Sequence, residues 1–324
     1  GRAVLVAEHR LAWLSGIADA YVHLDGGRIS RVMDAREFAA LDPRELDSMG
    51  LRTRDLGSVA PPAGDNAPPA GDSAPDGGGV GGGGVGGGGV GGVVLSARGL
   101  SADYGRGPVV AGVDVDLRAG EVVALVGRNG SGKTTLCRAL CGLGRRARGE
   151  ILLDGRRATR RRRTRSCSMV FQNVDYQLFA ASAASEVTFG LPRCAADAVD
   201  TDAVLRELAL DDVADRHPAT LSGGQKQRLA VAACVAAGKR VLVFDEPTSG
   251  IDLDGMRRVA RLLRRLAARG RAVLVITHDL ELIACACDRV LHMDGGRVVG
   301  RAGVREDFDA VRAMTGAGAR EGEE

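Results

Sequence analysis

Aromatic residues and long apolar runs are scarce in this sequence, and each shortage excludes a class of protein. Aromatic side chains make up 3% of the 324 residues while glycine occurs 47 times, so part of the chain is not expected to enter a core. No apolar run approaches the roughly 18 residues that a membrane helix needs, and the first residues lack a signal-peptide pattern. We expect a polypeptide that does not cross a membrane by itself.

Charge imbalance and paired cysteines are also lacking. The 44 Lys and Arg residues nearly balance the 41 Asp and Glu residues, which favours no particular partner. The seven cysteines include no Cys-x-x-Cys pair, so we expect no metal site from them. Their odd number and scatter indicate a reducing compartment, in which they behave as small apolar residues.

An internal repeat links the two ends of the sequence. GRAVLVAEH at 1–9 matches GRAVLVITH at 270–278, and the match continues without a gap to LDGGRI at 24–29 and MDGGRV at 293–298. Between the copies, residues 58–92 are rich in proline and glycine, which predicts a disordered tether. The pattern predicts a duplicated unit that is complete after the tether and represented only by its tail before it.

After the tether, apolar runs alternate with amphipathic segments, which is typical of an α/β domain with a largely parallel sheet. We predict buried strands at 121–127, 240–246 and 272–278. Between the last two, apolar residues at helical spacing predict a helix that Gly270 ends; they are Met256, Val259, Leu262, Leu263 and Leu266.

The first chemical motif is GRNGSGKTT, which lies between a predicted strand and a predicted helix. Glycines let such a loop wrap a phosphate, so that backbone N–H groups and a helix N-terminus face the anion. The motif predicts that Lys133 contacts the β and γ phosphates of ATP and that Thr134 holds Mg²⁺. The predicted nucleotide-binding residues of this motif are Gly127, Asn129, Gly130, Ser131, Gly132, Lys133, Thr134 and Thr135. The alternative is a plain glycine-rich turn.

Two carboxylates, Asp245 and Glu246, end the predicted strand VLVFDE. Asp245 suits Mg²⁺, and Glu246 suits orienting and deprotonating the attacking water. Successive strand residues point to opposite sides, so both acids can serve one site only if the chain turns there. The alternative is a pair of solvated acids at a strand end.

LSGGQ at 221–225 opens a further predicted helix, with Ser222 as its N-cap. A generic capped helix is the alternative, yet the pentapeptide resembles the signature of ATP-binding cassette (ABC) proteins. That resemblance implies a P-loop NTPase fold with a mostly parallel core sheet, an antiparallel β subdomain and a helical signature subdomain. It covers 93–300 as a complete domain, followed by a C-terminal helix and flexible tail at 301–324.

The resemblance also implies roles for single residues. Gln172 resembles the Q-loop glutamine, which acts on Mg²⁺ and water with Thr134 and Asp245; His278 resembles the switch histidine, and Asp252 the D-loop aspartate. Tyr104 stands where an aromatic residue stacks on adenine. The signature residues Ser222, Gly223, Gly224 and Gln225 would act on ATP bound by a partner cassette.

Residues 1–57 resemble the end of another cassette, with a switch-histidine strand carrying His9, a helix and a hairpin. The resemblance implies that this chain is the C-terminal part of a tandem two-cassette ATPase and that its partner is the first cassette, of which residues 1–57 are the end; pairing of two copies of this chain is the alternative. His9 is not expected to be catalytic.

The stretch at 170–191 is similar to the segment after the Q-loop in energy-coupling factor and cobalt-nickel importer ATPases. It implies a groove for an integral-membrane permease, import of vitamins or transition-metal ions, and a peripheral location on the cytoplasmic face of the cell membrane. Val174 and Tyr176 depart from the pattern, which leaves the substrate subclass open. A translation-factor or repair ATPase, and an interaction protein with a dead site, are the competing classes.

The basic run at 156–165 predicts a solvated loop. Attraction to an anionic leaflet is the alternative, and nucleic-acid binding is not expected because interleaved aromatic residues are lacking.

Overall fold

The computed structural model describes residues 2–62, 91–105, 107–144 and 146–316. Its strands are β1 (Ala20–Asp25), β2 (Arg28–Asp34), β3 (Val93–Asp103), β4 (Pro108–Arg118), β5 (Val122–Val126), β6 (Ala147–Leu153), β7 (Arg156–Arg157), β8 (Cys167–Val170), β9 (Val241–Asp245), β10 (Ala272–Ile276), β11 (Arg289–Asp294) and β12 (Arg297–Gly303).

The helices of the same ranges are α1 (Ala35–Ala40), α2 (Pro43–Ser48), α3 (Lys133–Leu140), α4 (Arg160–Ser166), α5 (Ala183–Thr188), α6 (Arg193–Ala196), α7 (Thr201–Glu207), α8 (Gly223–Ala236), α9 (Leu253–Ala268), α10 (Leu280–Ala286) and α11 (Phe308–Thr315). No helix in these ranges is both long and apolar enough to cross a bilayer.

The main sheet has six strands in the order β12-β11-β5-β10-β9-β8. All neighbouring pairs are parallel except β11 and β12. Every residue of β5, β9 and β10 is buried, which explains their continuous apolar runs because both faces of a parallel sheet are covered. The three predicted strands are confirmed. The carboxyl ends of the parallel strands meet at one edge of the sheet.

Alternate residues of β5 divide between two cores, as the period of a strand requires. Val122, Ala124 and Val126 join the core beneath α8, α9 and α10. Val123 and Leu125 join the core shared with α3 and the antiparallel sheet β4-β3-β6-β7. The layers therefore match the predicted fold class, an α/β domain with an antiparallel β subdomain; the helical part is built by α5 and α7 packing near α8.

The N-terminal unit, residues 2–62, has a small core of its own. The hairpin β1–β2 packs on α1 and α2 through Leu11, Met33, Phe38, Leu41 and Leu46, and Tyr21 stacks on the Phe38 ring with centroids 3.7 Å apart. The predicted strand and helix before the hairpin are wrong, because residues 2–9 form no strand and 12–17 form turns. Leu5 is 95% exposed, and a lone strand without paired neighbours gains too little to form.

The predicted boundaries shift at two places. β12 continues to Gly303, past the predicted boundary at residue 300, and Val311 of α11 is fully buried in the main core. Val59 packs against the same core although the tether was predicted from residue 58. Most of the predicted tether, 63–90, and the predicted tail, 317–324, lie outside the described residues.

The basic run at 156–165 is not a loop. It forms β7 and α4, and Thr159 caps the start of α4, where its hydroxyl accepts from the backbone N–H of Arg162. Arg163 is buried and donates to the carbonyl of Ala139, at the end of α3. Arg163 therefore joins α4 to the end of α3 and has a structural role.

Candidate ATP-binding and hydrolysis site

The loop between β5 and α3 has backbone conformations that only glycine adopts readily. Gly127 has φ of 143° and Gly132 has φ of 100°. A Cβ atom on Gly127 would lie 2.0 Å from the carbonyl oxygen of Met293, and one on Gly132 would lie 2.7 Å from that of Val109. The loop is therefore pressed against β11 and β4, and it ends at the N-terminus of α3.

Ser131 of this loop and Lys133, the first residue of α3, have polar side chains that could face an anion. The Lys133 ammonium donates to the carbonyl oxygens of Gly127 at 2.6 Å and Arg128 at 2.9 Å. Partial burial lowers the pKa of Lys133, while the carboxylates of Glu246 and Asp245 act in the opposite direction. The Ser131 hydroxyl is buried, and among the described residues it has no hydrogen-bond partner. Lys133 could exchange its two carbonyl contacts for an anion, and the Ser131 hydroxyl could donate to the same anion.

Thr134 and Asp245 join the loop to β9. The Thr134 hydroxyl donates to Asp245 Oδ2 at 2.8 Å, and Asp245 is 2% exposed. Burial raises the pKa of Asp245; Thr134 opposes the shift, and the charge of Glu246 adds to it. A hydroxyl and a carboxylate oxygen in contact form the kind of oxygen pair that Mg²⁺ prefers.

Glu246 turns the chain at the end of β9. Its φ is 53°, in the left-handed region that costs a residue other than glycine about 1–3 kcal/mol. Its backbone N–H still donates to Ile276 of β10 at 2.9 Å. The turn required for Asp245 and Glu246 to serve one site is therefore present, and backbone strain at such a position is typical of functional residues.

His278 lies two residues past β10, and its Nδ1 is 2.8 Å from Glu246 Oε1. Because β10 lies between β5 and β9, His278 leaves the sheet between the glycine-rich loop and the carboxylates. In the part of the chain that the structure describes, the second oxygen of Glu246, Oε2, is buried and has no hydrogen-bond partner. Residues far apart in the sequence, from Gly127 to His278, thus meet at one edge of the sheet.

The LSGGQ segment begins α8 with a reciprocal cap. The Ser222 hydroxyl accepts from Gln225 N–H at 3.3 Å, while Gln225 Oε1 accepts from Ser222 N–H at 2.9 Å. Ser222 and Gly223 are exposed, and Gly224 lies beside Ile251. Asp252 caps α9 by accepting from Gly255 N–H at 2.7 Å. The structure places these residues on the surface and assigns both caps a structural part as well.

Tyr104 and Gln172 are placed differently from each other. The Tyr104 hydroxyl lies 3.2 Å from Thr135 Oγ1, and its ring is 62% exposed over a cavity of about 370 Å³ that Arg138 and Arg146 also line. Gln172 is exposed just after β8, and among the described residues it makes no hydrogen bond to Thr134 or Asp245. The structure thus brings Tyr104 to the loop and leaves Gln172 outside the polar contacts of the site.

Comparisons with known proteins agree with this arrangement. The family model described as "ABC transporter" matches residues 110–249. Among solved structures, the chain is similar to CbiO1 from Clostridium perfringens, which is part of the ABC transporter complex CbiONQ. The two are 30% identical with a TM-score of 0.59, and the match covers 68% of this chain and 92% of CbiO1. The chain belongs to the ABC transporter ATPase family.

Two curated relatives are longer than this chain. A Treponema denticola protein named "Putative ABC transporter ATP-binding protein" is 39% identical over 299 residues, which are 92% of this chain and 58% of the relative. The sn-glycerol-3-phosphate import ATP-binding protein UgpC 1 of Rhizobium johnstonii is 37% identical over 211 residues, 63% of this chain and 57% of the relative. The chain therefore spans less than two thirds of either relative.

Several residues of this ABC ATPase site escaped prediction from the sequence. Gln227 of α8 is buried and donates to the Glu246 carbonyl at 3.4 Å, and Gln177 donates to Met169 O and accepts from Phe171 N–H. Asp279 is 4% exposed and accepts from Thr248 at 2.7 Å. The position of Asp279 directly after His278 was a signal that could have found it. Gln227 follows the LSGGQ segment and Gln177 lies in the stretch 170–191, and neither residue stands out in the sequence.

Asp279 also contacts two arginines of the N-terminal unit, Arg10 and Arg52. Burial by itself would raise the pKa of Asp279, but Arg52, Arg10 and hydrogen bonds from Arg52 and Thr248 hold the pKa below its usual range. Arg52 is 1% exposed and pairs with both Asp279 and Glu281. The N-terminal unit thus reaches the residue next to His278.

Proposed function

We propose that this chain binds and hydrolyses ATP as the energising subunit of an ABC importer. The observation that carries the proposal is the meeting of Lys133, the Thr134–Asp245 pair and the Glu246–His278 pair at one sheet edge. Phosphoryl transfer needs positioned charges and an oriented water more than covalent catalysis, and this set of groups supplies both.

The groups that the chain offers fit an ATP phosphate and Mg²⁺. Ser131 presents a buried hydroxyl that lacks a partner, the glycine loop presents backbone N–H groups, and Lys133 has a charge to exchange from carbonyls to phosphate. Thr134 and Asp245, with Gln172 from the neighbouring loop, would hold Mg²⁺, which when bound neutralises phosphate charge. Tyr104 would stack on adenine.

Glu246 and His278 would divide the proton chemistry between them. Glu246 Oε1 already accepts from His278, so Oε2 is the oxygen left to orient a water and take its proton. His278 would hold the carboxylate and contact the γ phosphate. The exposed Ser222–Gln225 cap suits a second ATP that lies on another cassette.

A second cassette is therefore part of the proposal, with the N-terminal unit as the end of that cassette. Supporting this, β1–β2 and β11–β12 share a register irregularity at equivalent positions, between His23 and Leu24 and between His292 and Met293. Pairing of two copies of this chain is the alternative. In either case, ATP turnover per chain should rise with protein concentration; a high and constant rate down to nanomolar chain would contradict the need for a partner.

The surface beside α8 supports a membrane partner. Three aromatic side chains are exposed there, Tyr176 by 74%, Phe179 by 66% and Phe189 by 56%. Phe189 also lines a cavity of about 670 Å³ with Pro192, Ala233 and Ala237. The cavity also has polar lining residues, among them Arg165, Gln177 and Lys239, and a groove of this mixed character and size suits a helix of an integral-membrane permease. The chain would then lie peripherally on the cytoplasmic face of the cell membrane.

The substrate class is proposed from the relatives. CbiO1 belongs to the CbiONQ complex, and residues 170–191 are similar to energy-coupling factor ATPases, which suggests import of vitamins or transition-metal ions. UgpC 1 is named as an import protein and agrees with the direction. Uptake of labelled cobalt or nickel, and of labelled vitamins, by cells with and without the Glu246→Gln variant tests the class; accumulation unaffected by this variant would contradict it.

Photo-crosslinking tests the groove itself. A photoreactive phenylalanine at position 189 in membranes should crosslink to an integral-membrane protein, whereas the same probe at position 299 should not. Val299 is the matched control because it is 58% exposed on β12, away from α8. Equal crosslinking from both positions, or none from position 189, would contradict a permease in this groove.

A further inference from the structure

We infer that Arg10 of the N-terminal unit is a positioning residue for the catalytic pair, acting through His278. The Arg10 guanidinium Nη1 contacts His278 Nε2, on the ring edge opposite to the Nδ1 that faces Glu246. Arg10 is 268 residues from His278 in the sequence, so this contact exists only because the N-terminal unit lies on the cassette. The inference rests on the proposed catalytic role of Glu246 and His278.

The chemistry of the two side chains fixes where the histidine proton is. A guanidinium has N–H donors and no acceptor, so its close approach to Nε2 requires a nitrogen with a free lone pair. Glu246 Oε1, in turn, is a carboxylate oxygen 2.8 Å from Nδ1 and requires a donor there. Together the contacts select one neutral tautomer, with the proton on Nδ1 and donated to Glu246.

That tautomer orients the carboxylate. With Oε1 occupied by His278, Glu246 keeps Oε2, which is buried and has no partner, as its one free oxygen. Without Arg10, Nε2 can take up a proton, either by tautomer exchange that costs the Glu246 contact or by formation of an imidazolium. In both cases the charge and geometry around Glu246 change.

The placement of Arg10 is held by contacts next to it. Arg10 Nη2 lies 3.6 Å from Asp279 Oδ2, and Arg52, which is 1% exposed, donates to Asp279 and to Glu281 at 2.6 Å. Thr53 N–H also donates to Glu281, at 3.2 Å. A buried arginine on two carboxylates gives the N-terminal unit a defined position at the residue that follows His278.

The repeat explains why this contact favours unlike units. At the fixed offset of the repeat, Arg10 is the counterpart of Asp279, since each follows the histidine of its copy. Equivalent positions of the two copies therefore face each other with opposite charge. Two identical units would place like charges together at this point, which is unfavourable for pairing.

Histidine NMR tests the tautomer without nucleotide. In the 324-residue chain with ¹⁵N-labelled histidine, with the His278 signals assigned by their loss in His278→Gln, Nε2 should resonate as an unprotonated nitrogen. Arg10→Ala should move Nε2 toward the protonated range, and Arg10→Lys, which restores a donor, should move it back. Arg257→Ala is the matched control, because Arg257 of α9 also pairs with the N-terminal unit, through Asp47, but on an exposed surface. An Arg10→Ala spectrum identical to the parent would overturn the inference.

Kinetics test the consequence for Glu246. Arg10→Ala should lower kcat for ATP about tenfold, less than the 10²–10⁴ of a general base, and leave KM within about twofold. In a His278→Ala background the same change should cost nothing further. An additive loss there would mean that Arg10 supports only the docking of the unit and would overturn the inference. Absence of ATPase activity in the parent would instead contradict the proposed function, while the NMR result would still stand.

Discussion

The hairpins β1–β2 and β11–β12 share a sequence pattern and a register irregularity, yet β11 has buried residues whereas β1 has none. Leu24 of β1 is 65% exposed, whereas its counterpart Met293 of β11 is fully buried. The difference comes from the neighbours, because β11 pairs with β5 in the six-stranded sheet and β1 pairs only with β2. Local sequence therefore determines turn and register, and the surrounding sheet determines burial.

The two histidines of the repeat extend this lesson to function. His278 follows β10, which two parallel neighbours hold, and it reaches Glu246. His9 follows residues 2–9, which form no strand, and it lines a surface cavity with Arg10 and Trp13. We therefore propose a catalytic role only for the copy that the sheet delivers beside a glycine-rich loop and a carboxylate pair.

The largest expected effect of breaking this comparison is on ATP binding. Lys133→Ala should reduce ATP affinity below the measurable range, because it removes the charge that faces the β and γ phosphates. Lys239→Ala is the matched control, since Lys239 donates to Thr164 at the opposite end of β9. Equilibrium binding of labelled ATP checks both; affinity of Lys133→Ala within a few-fold of the parent would show that this loop does not hold the phosphates.

The paired histidines give the next effect. His278→Ala should lower kcat for ATP by about 10²-fold, because Glu246 loses its donor, whereas His9→Ala should change it less than twofold. Steady-state turnover at saturating ATP measures both variants under one condition. Equal losses at the two positions would contradict the separation of a catalytic copy from a structural one.

The hairpins themselves give the smallest effect. Leu291→Ala in β11, where the side chain is 1% exposed, should lower the free energy of unfolding by about 2–5 kcal/mol because it leaves a cavity. Leu24→Ala in β1 is the same chemical change at an exposed position and should stay within about 0.5 kcal/mol. Urea unfolding measures both; a similar cost at Leu24 would contradict the exposure of β1.

Much of the cassette could be predicted from its sequence because its chemistry is local. A strand, a glycine loop and a helix N-terminus are contiguous at 121–135, and the carboxylates end their own strand. The sequence predicted that the chain must turn at Glu246, but it did not predict the left-handed φ of that turn. The strand predicted at the start of the chain failed because strand pairing depends on distant neighbours that a single segment does not show.

Contacts between distant segments could not be predicted. Arg10 on His278 and Arg52 on Asp279 join residues more than 220 positions apart, and nothing in either segment alone marks them as partners. The prediction of a solvated loop at 156–165 was wrong for a similar reason, because the burial of Arg163 depends on the carbonyl of Ala139 at the end of another helix.

Glu246→Gln tests the central claim, that this cassette hydrolyses ATP with Glu246 as the base, most directly. The amide keeps the shape of the side chain and leaves Asp245 and Thr134 unchanged, so MgATP affinity should stay within a few-fold of the parent. The single-turnover rate of hydrolysis should fall by about 10² to 10⁴. A variant that binds MgATP normally and hydrolyses it at the parental rate would contradict the account, because another group would then activate the water.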